Sequence, residues 1–292
     1  MGCLTGKAVI ITGAGQGLGQ AYAQDAAREG AAVLVNDIDP SHCEAVAAAI
    51  RDAGGLALAH PADVSDWEQT RLLIDRCVKA FGRLDGLVNN AARLHNAKPE
   101  EETEAALRTI VECNILGSMF CGVHASRQML AQGSGSIVNV SSGAQTGFAG
   151  LGAYGATKGA IASLTYAWAI EHGPRGIRVN AISPIARSPM SEQGRITSIA
   201  RGETPRPQPT VMPADNAALV SYLLSDLAAG INGQVVRFDG KKLYLMSHPQ
   251  VIDSSAACAS LTLENVQQAF DTELRARLQP CGIVLAQMGI KS

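Results

Sequence analysis

Short, apolar, β-branched runs recur along the chain at intervals that leave room for one helix between each pair. They are AVIIT (8–12), AVLVN (32–36), GLALA (55–59), GLVNN (86–90), SIVNV (136–140), IRVNAI (177–182) and QVVRF (234–238). The stretches between them, 19–30, 43–54, 67–81, 105–132, 154–172 and 214–227, have helical character. Strands that are apolar along their whole length suit a parallel sheet buried on both faces, with a crossover helix joining successive strands. Right-handed crossovers then place helices on both sides. The pattern predicts a single doubly wound α/β domain over 1–240 with a seven-stranded parallel sheet. Two segments leave the alternation. Residues 185–213, with prolines at 189, 205, 207, 209 and 213, read as a loop or lid over a substrate. Residues 241–292 read as a C-terminal extension packing on the same domain, with one helix over about 262–278.

Composition narrows the function classes. Of 292 residues, 24 are basic and 26 acidic, a formal charge of −2 that removes the basic footprint of a nucleic-acid binder. Seven cysteines at 3, 43, 77, 113, 121, 258 and 281 form no C-x-x-C and read as reduced thiols of a cytoplasmic protein. The N-terminal sequence reaches a strand without a signal-peptide pattern. No apolar run reaches the roughly 20 residues of a membrane span. Six histidines lack metal-ligand spacing. A protein with no nucleic acid, membrane or metal partner is the expectation.

Two regions carry chemistry. Directly after the first strand comes T-G-A-G-Q-G-L-G (12–19), in which Gly13, Gly17 and Gly19 open a helix. Glycines there let backbone N–H groups at a helix N-terminus approach a pyrophosphate, although an ordinary glycine-rich βα turn has the same composition. Asp37 ends the second strand, where a carboxylate accepts both ribose hydroxyls of NAD and repels a 2′-phosphate. The alternative is that Asp37 or Asp39 caps the helix beginning near Pro40. Gln16, Ile38 and Asp39 add no positive charge beside it. Asp63-Val64 is placed at the adenine edge, and 89–91 (N-N-A) along the cofactor.

Tyr154 and Lys158 lie four residues apart and share a helix face. An ammonium beside a phenol, whose ordinary pKa is near 10, is expected to draw that pKa toward neutrality and make a proton shuttle. Asn114 sits inside a helical stretch against its propensity, which suits either a polar role at a site or a core amide bonded to backbone.

Taken in order and spacing, the T-G-x-x-x-G-x-G loop, Asp63-Val64, N-N-A, Asn114, the strand-end serine, Y-x-x-x-K and V-N-A-I-x-P (179–184) resemble the short-chain dehydrogenase/reductase family over roughly residues 5–240. The resemblance implies a Rossmann-like fold and a tetrad of Asn114, Ser142, Tyr154 and Lys158. Tyr154 would be the general acid/base, Lys158 would bind the nicotinamide ribose, Ser142 would hold the substrate oxygen, and Asn114 would fix a water. It implies cofactor contacts from Gly13, Gln16, Gly17, Leu18, Gly19, Asp37, Asp63, Val64, Asn90, Ala91, Pro184 and Ser188, with Tyr154 and Lys158, and a homodimer or homotetramer. Spacing from Tyr154 selects Ser141 instead of Ser142, whereas strand register selects Ser142. Three positions depart from the family pattern: Ala92 and Ile185 replace glycines, and Ser188 replaces a threonine.

A narrower likeness, in GAGQGLGQAYA, VLVND, SPIARSPM, MPADNAALVSYLL and residues 230–248, is to the dehydrogenase part of the peroxisomal multifunctional β-oxidation enzyme and its bacterial relatives. It implies NAD-dependent chemistry on a hydrophobic secondary alcohol such as a 3-hydroxyacyl-CoA or a hydroxysteroid. Arg187, Arg195, Arg201 and Arg206 against Glu192 and Glu203 give the lid a net positive charge, suited to CoA phosphates or simply to water. The rival from another class is a nucleotide-sensing protein that keeps the fold without turnover.

Overall fold

The computed structural model describes residues 2–202, 204, 207–249, 262–279, 281–285 and 290–291. Glu203, Pro205 and Arg206 of the lid, Cys258, and much of the extension lie outside the described residues. Eight strands form one sheet: β1 (Ala8–Ile11), β2 (Ala32–Val35), β3 (Leu56–Ala59), β4 (Gly86–Asn89), β5 (Gly135–Val140), β6 (Ile177–Pro184), β7 (Val235–Phe238) and β8 (Leu243–Leu245), in the order β3-β2-β1-β4-β5-β6-β7-β8. The first seven are parallel, as the alternation predicts. β8 adds an antiparallel edge, with Arg237 opposite Tyr244. Read from the sequence, β8 belonged to the extension. Here the first compact unit runs Met1–Met246, because Met246 N–H still bonds Val235 O at 2.9 Å. The second unit is Ser247–Ser292, with α9 (Leu263–Ala269) continued by turns to Arg277, and a short antiparallel pair of β9 (Val284–Leu285) and β10 (Ile290–Lys291).

The helices of the first unit are α1 (Gly17–Arg28), α2 (Pro40–Asp52), α3 (Trp67–Phe81), α4 (Glu104–Val111), α5 (Gly117–Gln132), α6 (Gly152–His172), α7 (Pro189–Ala200) and α8 (Ala217–Leu224). The two-residue period of a strand sends alternate side chains to opposite faces. Val9, Ile11, Val33 and Val35 meet α1, α2 and α8 through Tyr22, Val46 and Leu223. Ile10, Leu34, Leu87 and Ile137 meet α3, α5 and α6 through Leu73, Met129 and Ala169. Both faces are therefore covered, and every one of these side chains is buried.

Two expectations need correction. The 185–213 segment is not a plain loop: it contains α7, started by Pro189 in the first turn and by Ser188, whose hydroxyl accepts from Ser191 N–H. Proline favours that first position because its missing N–H has no helical partner there. Secondly, the continuous helix Glu104–Gln132 is, at 29 residues, long and apolar enough by length and composition to cross a membrane. Its Cys121, Ala125 and Met129 are buried in the core.

β2 and β4 flank β1, so the chain leaves the sheet in opposite directions on either side of it. A crevice opens at the carboxyl ends of such strands, where doubly wound sheets bind ligands.

Candidate active site

The glycine loop after β1 shapes one wall of the crevice. Gly13 has φ of +59°, and a Cβ on it would come within 2.7 Å of Ala91 Cα. A Cβ on Gly19 would stand 2.2 Å from Gly13 O. The loop is fastened by Asn90, whose Nδ2 donates to Thr12 O and Gly13 O, each at 2.9 Å. Thr12 Oγ1 accepts from Asn90 N–H and Ala91 N–H at 3.1 Å. α1 begins at Gly17 with no side-chain cap from Gln16, so its first-turn N–H groups and dipole face the cleft as an anion site.

Gly13, Gln16, Gly17, Leu18, Gly19, Asp37, Asp63, Val64, Asn90 and Ala91 all line one cavity of about 500 Å³. Asp37 and Asp39 divide the two tasks left open by the sequence. Asp39 caps α2, accepting from Ser41 and His42 N–H at 2.8 and 3.2 Å. Asp37 faces the glycine loop, accepting from Gly15 N–H at 2.8 Å, and its remaining lone pairs can take a ribose diol. Asp63 holds Ser65 N–H and Oγ at 2.9 and 2.7 Å, which shapes the turn at the cleft edge. Arg93, the cation of this lining, comes from beyond β4, whereas Asp37 follows β2. Cradle, uncapped helix start and diol acceptor together fit a nicotinamide dinucleotide.

A second cavity of about 500 Å³ adjoins the first, the two sharing Leu18, Asn90, Ala92, Ser188 and Met190. Ser142, Tyr154, Lys158 and Pro184 line it. Lys158 is 3% exposed, donates to Val140 O at 2.7 Å and lies over the Tyr154 ring, 5.7 Å from its centroid. Burial brings its ammonium down to about 8. Burial also pushes the Tyr154 phenol up to about 12, with the Ser142 hydroxyl bonding to it and pulling the other way. This corrects the expectation of a depressed tyrosine. The ammonium sits over the ring and is turned to a backbone carbonyl, so loss of water dominates at the phenol.

The two strand-end serines separate. Ser141 is 2% exposed, its hydroxyl within bonding distance of Gln145 Oε1 (2.8 Å) and Lys158 O (3.0 Å). Ser142 lines the cavity with Tyr154 and accepts from Ala144 N–H at 3.2 Å. Asn114 is placed differently from the other expected residues, since it lines neither cavity. It lies in a π turn, Glu112–Leu116, between α4 and α5, a feature frequent at functional sites. Its Oδ1 accepts from Arg93 N–H at 2.7 Å, and its Nδ2 donates to Arg93 O and Thr157 Oγ1. Thr157 in turn donates to Tyr154 O at 2.8 Å. Asn114 thus ties the Tyr154 turn to the segment after β4. Thr157 was not singled out from the sequence, although its place three residues after Tyr154 on the same helix could have suggested it.

The departures from the family pattern cause no strain. Among the described residues no non-glycine has positive φ, so Ala92 and Ile185 take ordinary backbone. Ile185 O accepts from Asn216 Nδ2 at 3.0 Å. Ser188 lines both cavities while capping α7.

Comparison with known proteins places this geometry in context. A model of the short chain dehydrogenase family matches residues 7–196. The chain is 38% identical over 242 residues to cis-4-hydroxycyclohexanecarboxylate dehydrogenase of Sinomonas cyclohexanicum, covering 80% of this chain and 95% of that one. It is 32% identical over 243 residues to the 3-oxoacyl-(acyl-carrier-protein) reductase FabG of Thermotoga maritima, covering 81% and 98%. Among solved structures, a short chain dehydrogenase from Mycobacterium avium matches with a TM-score of 0.85 at 30% identity, covering 97% of this chain and all (100%) of that one. Levodione reductase matches with a TM-score of 0.73 at 31% identity, covering 81% and 97%. These relatives are varied short-chain oxidoreductases and do not single out the peroxisomal multifunctional enzyme.

Proposed function

The chain belongs to the short chain dehydrogenase family, and from that premise we propose that it is an NAD-dependent oxidoreductase interconverting a hydrophobic secondary alcohol and its ketone. The observation that carries the reading is the placement of Ser142, Tyr154 and Lys158 on one cavity that adjoins a glycine-lined cleft. Relatives whose names specify a hydroxycyclohexane, levodione and a 3-oxoacyl group support an alcohol–ketone pair on a ring or chain.

A nicotinamide dinucleotide bound in the cleft supplies hydride chemistry, and the protein's own part is placement and proton transfer. Gly13, Gly17 and Gly19 admit the phosphates to the start of α1, and Asp37 takes the adenosine ribose. Lys158, which lines the adjoining cavity, would hold the second ribose. Ser142 donates to the substrate oxygen and keeps it against Tyr154. The phenol, held protonated by burial, gives its proton to the oxygen in ketone reduction; in alcohol oxidation the group must first lose that proton, and as phenolate it takes one from the substrate hydroxyl. The apolar lining residues Leu94, Leu151 and Met190, packed beside Tyr154, select the hydrophobic part. The proposed enzyme is a homodimer or homotetramer.

Turnover of a panel of cyclic and linear secondary alcohols with NAD and with NADP tests the reading. Oxidation with NAD strongly preferred is expected, because Asp37 repels a 2′-phosphate. Equal use of both would remove the ribose role of Asp37. No turnover at all would favour a nucleotide-sensing protein.

A further inference from the structure

We propose that the substrate carries a carboxylate on the same molecule as its reacting carbon, and that Arg195 and Arg201 recognise it. The proposal rests on the oxidoreductase reading and deepens it. α7 presents Met190, Ser191, Gly194, Arg195 and Ser198 to the cavity at helical spacing, and Arg201 follows at its end. Ser188, just before the helix, touches both cavities, so α7 starts at the cofactor side and runs away from it. At about 1.5 Å per residue, Arg195 stands about 10 Å and Arg201 about 20 Å further along than Ser188. The cavity lining thus combines the polar Ser142 and Tyr154, the apolar Leu94, Leu151 and Met190, and the cationic Arg195 and Arg201 on the lid helix and at its end.

Charge on this wall is one-sided. Among the described residues lining the cavity, Lys158, Arg195 and Arg201 are basic and none is Asp or Glu. The arginines do have carboxylate partners, but those partners lie outside the lining. Glu192 takes Arg195 Nε at 3.0 Å and Nη2 at 2.6 Å, and is itself gripped by Gln208 Nε2. Glu101, on the short turn Pro99–Glu101, takes Arg201 Nη2. A guanidinium has five N–H donors in a rigid fork, so one carboxylate does not exhaust it. Glu192 and Glu101 thus leave N–H donors unspent on two guanidinium groups that both line the cavity. Such forks match planar carboxylates in two-point geometry. A phosphate offers the same chemistry, but a CoA thioester carries its phosphates at the end of a long arm, and a cavity of about 500 Å³ suits a compact acid.

The test is ketone reduction by the full-length enzyme with saturating NADH. Matched substrates are 4-oxopentanoate, 6-oxoheptanoate and 8-oxononanoate, each paired with its carboxamide, together with acetoacetyl-CoA. At least one acid should exceed its amide about tenfold in kcat/KM, chiefly through KM, as a charge-assisted contact implies. Arg195→Gln or Arg201→Gln should collapse that ratio, Arg195→Gln for the shorter acids and Arg201→Gln for the longer. The acid–amide comparison in the wild type does not depend on any variant folding. Equal use of acids and amides would overturn the proposal, as would a ratio that survives both variants. Acetoacetyl-CoA reduction weakened by the same variants, with acids and amides equal, would assign the arginines to phosphate and overturn the carboxylate. No reduction of any ketone would instead sink the oxidoreductase reading, and this proposal with it.

Discussion

Tyr154 and Lys158 are both buried, and burial moves them apart from their ordinary values in opposite directions: the ammonium down to about 8 and the phenol up to about 12. The sign for stability follows from which state binds more protons. Between pH 8 and about 10.4, an unfolded lysine is still protonated while Lys158 in the fold is neutral, so stability rises with pH across that window. Tyr154 acts in reverse, but only between about pH 10 and 12, when the unfolded phenol ionises and the folded one does not. The melting temperature of the wild type minus that of Lys158→Met is therefore expected to grow from pH 7.5 to 9.5. A flat difference would mean that Lys158 is solvated in the free enzyme. The neighbouring serines give a second residue-scale outcome. Ser142→Ala should lose most of kcat/KM, because Ser142 lines the same cavity as the phenol. Ser141→Ala should lose mainly stability, because its buried hydroxyl has Gln145 Oε1 and the Lys158 carbonyl within bonding distance. The reverse ranking of the two variants would transfer the orienting role to Ser141.

Helix α7 depends on a cap that the sequence displays as S-P-M-S, with Ser188 and Ser191 bonding each other's backbone N–H. Ser188→Ala should remove about 1 kcal/mol of local helix stability, seen as faster amide hydrogen exchange in the first turn of α7, and Ser188→Asp should restore the slow rate. Unchanged exchange in Ser188→Ala would show that lid packing, not the cap, holds the helix. The same element shows what a sequence conceals. The seven parallel strands were legible because each is a continuous apolar run between helical stretches. α7 was not, because its prolines suggest a loop until Pro189 is seen as a first-turn residue. β8 is three residues long and has no run to betray it. The glycine loop and the Y-x-x-x-K pair were legible as motifs. The π turn around Asn114 and its grip on Arg93 and Thr157 were not, since those contacts span 21 and 43 residues of chain. The direction of the Tyr154 shift was likewise hidden, because burial is set by tertiary packing and not by the neighbour four residues away.

For the whole molecule, the sheet ends where β8 covers the outer side of β7, and this fixes where the first unit stops. Cutting after Gly240 strips β8 and leaves β7 with unpaired N–H and C=O groups, a template for pairing with other chains. Such a protein should aggregate, whereas a chain cut after Met246 should stay dispersed, as size-exclusion chromatography would read. Equal solubility of the two would mean that β8 contributes nothing to the edge. The sheet also brings the crevice beside β1 and the serine at the end of β5 into adjoining cavities, and the proposed activity depends on that meeting of cleft and phenol. The most direct measurement is to compare wild type and Tyr154→Phe in NADH binding, by fluorescence, and in steady-state turnover of the best alcohol or ketone of the panel. The variant should bind NADH as the wild type does while kcat falls by about 10² to 10⁴. A Tyr154→Phe enzyme that turns over at a near-normal rate would contradict proton transfer by Tyr154, and with it the proposed mechanism.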